Sequence, residues 1–408
     1  MSTQERKSDA PGADLVARAR ALADLIDGEA AAGEALGRLT PKTVAALDES
    51  GLTAMWLPRA LGGAELWPVD SLKIIEALSR ADGSTGWVLM AAGLCIGTGG
   101  SYLTPDVARE MFRNAVPIIA GHGAALGRAD VEVAGGRDGF RLSGSWSYAS
   151  GLLHARYIHT GGIVYEGGVP RIDPATGEPE FRVFVVPVEA AKLNGNWDVI
   201  GLRATGSIDY VIEDAFVPTG FTHLQHIKTP NIGGDVYKLG IFGFSNIGHT
   251  GFALGVGRRL LDGIAEIARA EGKRPFVLPQ RGGGESFQEQ FGTAEAKFRA
   301  ARALVYDAWR DIEAVLPGEA PIPTRNFTMI RLALNHLTTV TNEIAAFAFA
   351  YGGGSALRQG PLQRHVRDMM TAAQHAQTAP QILRECAKDL MGMAPGKIWT
   401  MRALVDPR

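Results

Sequence analysis

The first residue that could carry chemistry is a histidine in the stretch TAAQHAQTAP, residues 371–380. His375 has amide side chains nearby at Gln374 and Gln377, and the stretch contains no acidic residue. A neutral imidazole donates a hydrogen bond through one ring nitrogen and accepts through the other, and it changes protonation near neutral pH. Two interpretations stay open: a helix histidine satisfied by a backbone carbonyl, or a hydrogen-bond donor in a functional site.

Metal and disulfide chemistry are disfavoured by residue spacing. The chain holds nine histidines, and no two of them form an HExxH or HxxxH pattern. The two cysteines, Cys95 and Cys386, form neither a CxxC pair nor a disulfide framework. We therefore expect no metal site.

Composition places the chain among soluble proteins with more than one packed unit. It has 408 residues, 46% hydrophobic and 21% charged, so two or three units are expected. With 41 basic against 43 acidic residues, it offers no basic field for nucleic acid. The N-terminus lacks a signal-peptide layout, and the apolar stretch WVLMAAGLCIGTGG is too short to span a bilayer. We expect a cytoplasmic protein without membrane contact.

Three stretches that differ in residue composition and hydrophobic periodicity follow one another. Residues 1–115 repeat apolar positions at helical spacing, as in LVARARALADLI. Residues 116–228 are rich in β-branched and aromatic residues, as in FRVFVVPV. Residues 229–408 return to long helical patterns, which favour an antiparallel bundle. The sequence thus predicts an α+β chain with an N-terminal helical domain, a middle β domain and a C-terminal helical bundle.

Two local signals predict element boundaries near the candidate site. In VEVAGGRDGFRLSG, the Asp138-Gly139 pair predicts a hairpin turn. A last helical pattern begins after Pro361 and continues to about Gly392. His375 is therefore expected within a helix.

Four motifs resemble, in the same order, segments of the acyl-CoA dehydrogenase superfamily. They are GLTAMWLPRALGGAEL, LSGSWSYASGLLHARYI, IGLRATGSIDYVIEDAFVP and AYGGGSALRQGPLQRHVRD. The resemblance covers nearly the whole chain and implies the acyl-CoA dehydrogenase fold, with a C-terminal four-helix bundle. It also implies a homotetramer with flavin held between the β domain and the bundles. A shared fold does not by itself fix the reaction.

The catalytic base of the dehydrogenases has no counterpart here. After the Arg367-Asp368 pair, which we interpret as a structural ion pair, those enzymes continue to a YEGT segment whose glutamate removes the substrate α-proton. Ala376 stands near that place. A second subgroup carries its base on the first bundle helix, which here reads GFSNIGHTGFALGVGRR without a carboxylate. Removal of the α-proton beside a thioester needs a basic side chain positioned over the flavin. Dehydrogenation is therefore the less favoured reaction.

A histidine at position 375 is instead similar to the oxygenase components of two-component flavin-dependent monooxygenases. These take reduced flavin, FADH2 or FMNH2, from a separate reductase and form a C4a-hydroperoxide with O2. That intermediate hydroxylates a small aromatic or heteroaromatic substrate, and it needs a nearby hydrogen-bond donor and a dry pocket. The resemblance assigns the donor role to His375. An acyl-CoA dehydrogenase or oxidase with its base elsewhere, and a flavin-free assembly subunit, stay as alternatives.

Further site residues follow from the resemblance. Ser150 matches the hydroxyl at flavin N5, although a serine-glycine turn is the alternative. Tyr148 matches the aromatic beside the isoalloxazine, or else it belongs to the β-domain core. His122 lies on a loop that borders flavin and substrate, where it either orients or deprotonates a phenol or is a satisfied loop histidine. His249, near the alternative base position, is a weaker pocket candidate.

The residues expected near the cofactor's phosphates resemble the family's segments less well. Arg274 and Phe276 in EGKRPF resemble a segment that reaches a neighbouring subunit's flavin, with altered spacing and no following glycine. Gly352 and Gly353 resemble a glycine pair that approaches the pyrophosphate or adenine end, or else they end a helix. The choice between FAD and FMN stays open. No stretch forms a dinucleotide fingerprint, which agrees with a protein that receives its flavin already reduced.

Overall fold

A computed structural model describes residues 10–271 and 284–407. The chain begins with a helical part that matches the predicted texture. The buried helix α5 (Gly83–Tyr102) carries the apolar stretch around Trp87. Both α5 and α4 (Pro68–Ala81) pack against the later helix α7 (Gly240–Glu271). From residue 10 onward its helices are α1 (Ala10–Ala21), α2 (Ala23–Leu36), α3 (Pro41–Glu49), α4 (Pro68–Ala81), α5 (Gly83–Tyr102) and α6 (Pro105–Met111).

A mixed sheet follows the helices. Its main path runs β7-β8-β3-β2-β4-β6-β9, and β1 and β5 both pair with β4. The pairs β1–β4 and β2–β4 are parallel and the others antiparallel. The strands are β1 (Ile119–Ala120), β2 (Ala125–Ala134), β3 (Arg137–Ala149), β4 (Tyr157–Glu166), β5 (Val169–Pro170), β6 (Phe181–Pro187), β7 (Ala191–Asn194), β8 (Ile208–Pro218) and β9 (Thr222–Leu224).

The predicted hairpin forms, but its turn was placed wrongly. The turn is Gly135–Gly136, with φ of 57° and 74°, while Asp138 pairs with Val133 inside the ladder. A two-residue hairpin turn needs positive φ at both positions, and two glycines meet that need better than Asp-Gly. Gly139 has a different role, because a Cβ there would lie 2.5 Å from the carbonyl oxygen of Val217.

The C-terminal part is a bundle of long helices. Helix α7 packs against α9 and α11, and α8 packs against α9. The helices are α7 (Gly240–Glu271), α8 (Glu285–Val315), α9 (Thr324–Tyr351), α10 (Gly354–Leu357), α11 (Pro361–Ala372) and α12 (Pro380–Leu390), followed by the short hairpin β10 (Ile398–Trp399) and β11 (Leu404–Val405). The predicted order of helices, sheet and helices is confirmed. The domain limits at residues 115/116 and 228/229 stay predictions.

The predicted last helix is interrupted, which corrects the expectation for His375. Helix α11 ends at Ala372 and α12 begins at Pro380, with a short 3-10 turn between them. Proline lacks a backbone N–H and forces the preceding residue out of the helical region, and Ala379 accordingly has ψ 140°. His375 is extended as well, with ψ 144°. The histidine therefore sits at a helix break rather than on a helix face.

Within the described ranges, no helix is both long enough and apolar enough to cross a bilayer. The helical core extends from the N-terminal helices into the bundle and includes Trp56, Leu254 and Trp309. The sheet has its own core, in which Trp146 stacks on Tyr210 with ring centroids 5.3 Å apart.

Candidate active site

His375 is held in one orientation by the helix break. Its Nδ1 accepts a hydrogen bond from the backbone N–H of Gln377 at 3.2 Å, so the ring caps the 3-10 turn. Since Nδ1 accepts, the proton of the neutral ring must be on Nε2, which is then a donor. The side chain is accessible, and yet burial lowers its pKa well below the usual value. Protein atoms therefore surround the ring closely while part of it stays open to solvent, and we call this recess the cleft.

His249 lies directly beside His375. It comes from α7, and the two imidazole centroids are 4.0 Å apart with the rings tilted by 35°. Its Nδ1 donates to the carbonyl oxygen of Ser245, one turn earlier, at 2.7 Å. Burial lowers the pKa of His249 to about 4, so this ring is neutral too. A positive charge on His249 would also disfavour a positive charge on His375, so His249 is one cause of the lowered pKa of His375.

Trp87 is the third ring of this cluster. Its ring meets His249 edge-on at 5.0 Å and His375 at 5.9 Å between centroids. The indole Nε1 donates to Ser150 Oγ at 3.0 Å, which links α5 to the end of β3. Trp87 thus connects both histidines to the predicted flavin-contacting serine.

A directed chain of hydroxyls continues from Ser150. Ser150 Oγ is 2.8 Å from Ser207 Oγ, which is 2.6 Å from Thr205 Oγ1. Thr205 donates to the carbonyl of Leu202 at 2.8 Å. An indole N–H can only donate and a carbonyl can only accept, so every hydroxyl proton in between must point from Ser150 towards Leu202. The Ser150 proton is thereby committed to Ser207, and its oxygen keeps one free lone pair.

His122 approaches the cluster from the loop after β1. Its backbone N–H donates to Tyr210 Oη at 3.3 Å, and Tyr210 donates to Thr160 Oγ1 at 2.7 Å, which fixes the loop on the sheet. Its Nδ1 is buried and has no hydrogen-bond partner among the described residues. Burial lowers the pKa of His122, and its charge would in turn disfavour a proton on His375. The structure therefore brings together His375, Ser150 and His122, as the sequence predicted, although their roles stay predictions.

Tyr148 lies on an open surface and not in the β-domain core. Its side chain is 66% exposed and meets Trp197 edge-on, with centroids 6.2 Å apart. Its backbone has φ 64°, and its N–H donates to Asp209 at 3.2 Å. The core alternative for Tyr148 is wrong, and its contact with flavin stays a prediction.

The remaining cofactor residues are not joined to the histidine cluster. Gly352 ends α9, where a Cβ would lie 2.6 Å from Leu362 and 2.7 Å from the carbonyl of Ala348. Helix-end packing alone therefore accounts for Gly352, and Gly353 follows it with φ 52°. The role of these glycines towards a cofactor stays a prediction. Arg274 and Phe276 lie outside the described residues.

The interpretation of Arg367 and Asp368 as an ion pair is wrong. Arg367 pairs with Glu34 at 2.8 Å, while Asp368 Oδ1 accepts the backbone N–H of Leu202 at 2.6 Å. Burial, reinforced by the nearby Asp82, raises the pKa of Asp368 to about 8. Through its bond to Leu202, the Asp368 carboxyl ties α11 to the segment that ends the hydroxyl chain.

Sequence reasoning missed Trp87 and the hydroxyls of Ser207 and Thr205. In the sequence analysis Trp87 was considered only as part of the apolar stretch WVLMAAGLCIGTGG. The available signal was its indole N–H, because a buried indole N–H needs a hydrogen-bond acceptor. Although three histidines gather here, the described residues contain no group of His, Cys, Asp and Glu side chains that could hold a metal ion.

The chain is similar to known proteins over most of its length. The family models for the acyl-CoA dehydrogenase N-terminal and C-terminal domains match residues 15–109 and 247–380. An indole-3-acetate monooxygenase of Pseudomonas putida is 30% identical over 335 residues, covering 80% of each chain. The flavin-dependent monooxygenase oxygenase subunit HsaA of Rhodococcus jostii is 26% identical, covering 85% of this chain and 90% of that protein. The structure of XiaF from Streptomyces, solved with FADH2 and glycerol, superimposes with a TM-score of 0.82 at 23% identity, covering 94% of this chain and 96% of that one.

Proposed function

Because the chain belongs to the acyl-CoA dehydrogenase family, and within it to the flavin-dependent monooxygenases, we propose that it hydroxylates a small aromatic or heteroaromatic molecule. It would do so as the oxygenase component of a two-component system, with reduced flavin, FADH2 or FMNH2, and O2 as co-substrate. A separate flavin reductase would supply the reduced flavin. The observation that carries this proposal is the neutral donor His375, held at a helix break in a cleft beside Ser150.

The groups of the cleft fit a reduced flavin. Reduced flavin carries a hydrogen on N5, and the free lone pair of Ser150 Oγ is an acceptor suited to it. The exposed ring of Tyr148, beside the half-buried Trp197, offers aromatic surface near the same strand end, against which a flat ring system can pack. When bound, reduced flavin supplies the electrons that activate O2.

The protein's own residues would position and protect the reacting groups. His375 donates from Nε2, and its lowered pKa keeps it neutral around pH 7, so the donor needs no change of protonation to be ready. Trp87 packs against both histidines and excludes water from this side of the cleft. His122, with its unpartnered Nδ1, would orient the substrate or take its proton.

The charge of the cleft argues against the dehydrogenase alternative. The pKa values of His375 and His249 are lowered by burial and, for His375, by neighbouring histidines, with no described carboxylate among the causes. Abstraction of a proton beside a thioester needs a poised base. Ala376, which stands near the position of the dehydrogenase glutamate, has only a methyl group.

A homotetramer is part of the proposal. Apolar side chains stand exposed on the later helices of the bundle and just after the last of them, a feature typical of surfaces that associate. They include Phe349, Leu357, Met370, Leu383, Met391 and Met393.

Rapid mixing tests the function directly. Anaerobic protein would be mixed with FADH2 or FMNH2 and then with oxygenated buffer that contains a candidate phenol or indole. We expect flavin oxidation at a rate different from that of free reduced flavin, together with a hydroxylated product. Oxidation at the free-flavin rate without product, or reduction of bound FAD by acyl-CoA, would contradict the proposal.

A further inference from the structure

The hydroxyl chain that begins at Ser150 ends on a residue with a strained backbone. Leu202 has φ 54° and ψ 35°, the left-handed region that residues other than glycine seldom adopt. A backbone of this kind persists only where the surrounding contacts impose it. Leu202 is only 3% exposed, so those contacts come from the protein itself.

One set of contacts holds the carbonyl group of Leu202. Its oxygen accepts hydrogen bonds from the Thr205 hydroxyl at 2.8 Å, from the Thr205 N–H at 3.1 Å and from the indole N–H of Trp197 at 3.0 Å. With three donors on one carbonyl oxygen, this end of the chain can only accept. The direction of the hydroxyl protons that lead back to Ser150 therefore depends on where the Leu202 carbonyl lies.

A second set of contacts, made by α11, holds the other side of Leu202. The Leu202 N–H donates to Asp368 Oδ1 at 2.6 Å, and both residues are buried. The preceding residue, Gly201, lies against the helix backbone, since a Cβ there would be 2.1 Å from the carbonyl oxygen of Arg367. The segment thus rests directly on α11, and Asp368 supplies the acceptor for its buried N–H.

Asp368 also packs against the helix that carries Trp87. A Cβ on Gly83, the first residue of α5, would lie 2.6 Å from Asp368 Oδ2. Trp87 follows one turn later, and its indole N–H starts the hydroxyl chain at Ser150. The Asp368 carboxyl is therefore wedged between the start of α5 and the N–H of Leu202. It contacts the elements that support the chain at both of its ends.

We propose that Asp368 is a positioning residue, which acts through the Leu202 N–H to hold the hydroxyl chain and thereby the orientation of Ser150 towards reduced flavin. It is not a catalytic residue, because the backbone of Leu202 and two further hydroxyls separate it from Ser150. Without the acceptor, the Leu202 N–H is left unpaired and its strained backbone can relax, which displaces the carbonyl on which the chain ends. The inference rests on the proposed function, because it assumes that Ser150 meets a flavin.

Hydrogen exchange of the full-length protein without flavin tests the structural step. Exchange of the Leu202 amide would be followed by mass spectrometry on overlapping peptides. In Asp368→Ala it should be about tenfold faster than in the wild-type protein, the factor for one lost hydrogen bond. Asp368→Asn, whose amide oxygen still accepts, should stay close to wild type. Gly201→Ala should behave like Asp368→Ala, because its Cβ pushes the segment off α11 while the carboxyl is unchanged.

A double substitution tests whether the effect reaches the site through Ser150. The readout is hydroxylated product per reduced flavin oxidised. Asp368→Ala should lower this yield by about as much as Ser150→Ala does, and Asp368→Asn should restore it. When Ser150 is already alanine, Asp368→Ala should change the yield by less than about twofold, the margin within which independent effects add. A role confined to stability would lower the yield by the same factor in both backgrounds.

Glu385→Ala is the matched control. Glu385 is a buried carboxyl on α12 whose Oε2 accepts the backbone N–H of Leu404 at 3.2 Å, and it takes no part in the hydroxyl chain. Its replacement also leaves a leucine N–H unpaired. It should therefore lower thermal stability while the product yield per flavin stays unchanged.

Each outcome decides the matter. Exchange of the wild-type Leu202 amide at the rate of an unprotected amide, or unchanged exchange in both Asp368→Ala and Gly201→Ala, would overturn the inference. If neither variant folds, as judged by thermal unfolding, exchange in the wild-type protein decides it. Equal losses of yield with and without the Ser150 hydroxyl would leave the proposed function standing without this role for Asp368. Absence of any flavin-dependent product from the wild-type protein would remove the proposed function itself.

Discussion

The ring centroids of His249 and His375 lie 4.0 Å apart, and a positive charge on His249 would disfavour a second positive charge on His375. The two residues come from distant parts of the chain, α7 and the break between α11 and α12. Both are neutral near pH 7, since burial lowers the pKa of each. Their chemistry in this range is hydrogen bonding, not charge.

Replacing His375 tests the central donor. His375→Ala removes both the Nε2 donor and the cap on Gln377, so hydroxylation should fall by about a hundredfold, within the range of a lost proton-transfer or donor group. Peroxide released per flavin oxidised should rise, as measured by a coupled peroxidase assay beside product analysis.

The matched variant is His375→Asn, whose amide oxygen can still accept from the Gln377 N–H. It should preserve the break, and with it thermal stability, while losing most of the hydroxylation. Unchanged product yield in both variants, with no extra peroxide, would show that His375 is only a structural cap.

Ser150 tests the hydroxyl chain. Ser150→Ala leaves the indole N–H of Trp87 without its acceptor and should cost about 1–3 kcal/mol in the free energy of unfolding, the usual penalty for a buried unpaired donor. It should also increase peroxide release. Ser150→Thr keeps the hydroxyl and serves as control. Chemical denaturation measures the first effect, and an alanine variant as stable as wild type would contradict the buried chain.

Buried histidines predict a loss of stability in acid. Burial lowers the pKa values of His159 and His365 to about 3 and of His223 and His249 to about 4. In the unfolded chain these groups take up a proton near pH 6.5, so the unfolded state binds more protons below that pH. The free energy of unfolding should therefore fall as pH drops from 6.5 towards 4. Denaturation at several pH values measures the slope.

A single substitution should reduce that slope. His223→Gln removes one group whose folded pKa is depressed, and the slope between pH 6 and 4 should decrease by up to about 1.4 kcal/mol per pH unit. A slope identical to that of the wild-type protein would mean that His223 is charged in the fold.

The contribution of Asp368 to stability has the opposite dependence on pH. Its folded pKa of about 8 lies far above the unfolded value, so between pH 4 and pH 8 the folded state binds the extra proton and stability falls as pH rises. Asp368→Asn keeps an acceptor for the Leu202 N–H and cannot ionise. This variant should be the more stable protein at pH 8 and lose its advantage towards pH 4, as measured by thermal unfolding. Greater stability of the wild type at pH 8 would indicate an ionised, paired Asp368.

The sequence predicted the order of helices, sheet and bundle because long periodic patterns average over many residues. It also selected His375, Ser150 and His122, which the fold brings to one cleft. It missed the break around His375, because Pro380 was taken as part of a continuing pattern instead of a helix start. It could not find the Trp87 contact, since α5 and β3 meet only through tertiary packing. The hairpin turn was misplaced because two adjacent turn signals competed and only the register of the strands decided between them.

The fixed direction of the hydroxyl chain has one further consequence. A bound group that offers a hydrogen to Ser150 extends the chain as it stands, whereas a group that offers only a lone pair would require the Ser150 proton to turn away from Ser207 and would break that hydrogen bond. Flavin N5 carries a hydrogen when reduced and a lone pair when oxidised. The hydroxyl of Ser150 would therefore favour the reduced cofactor over the oxidised one, because the oxidised cofactor could be bonded only at the cost of the hydrogen bond to Ser207.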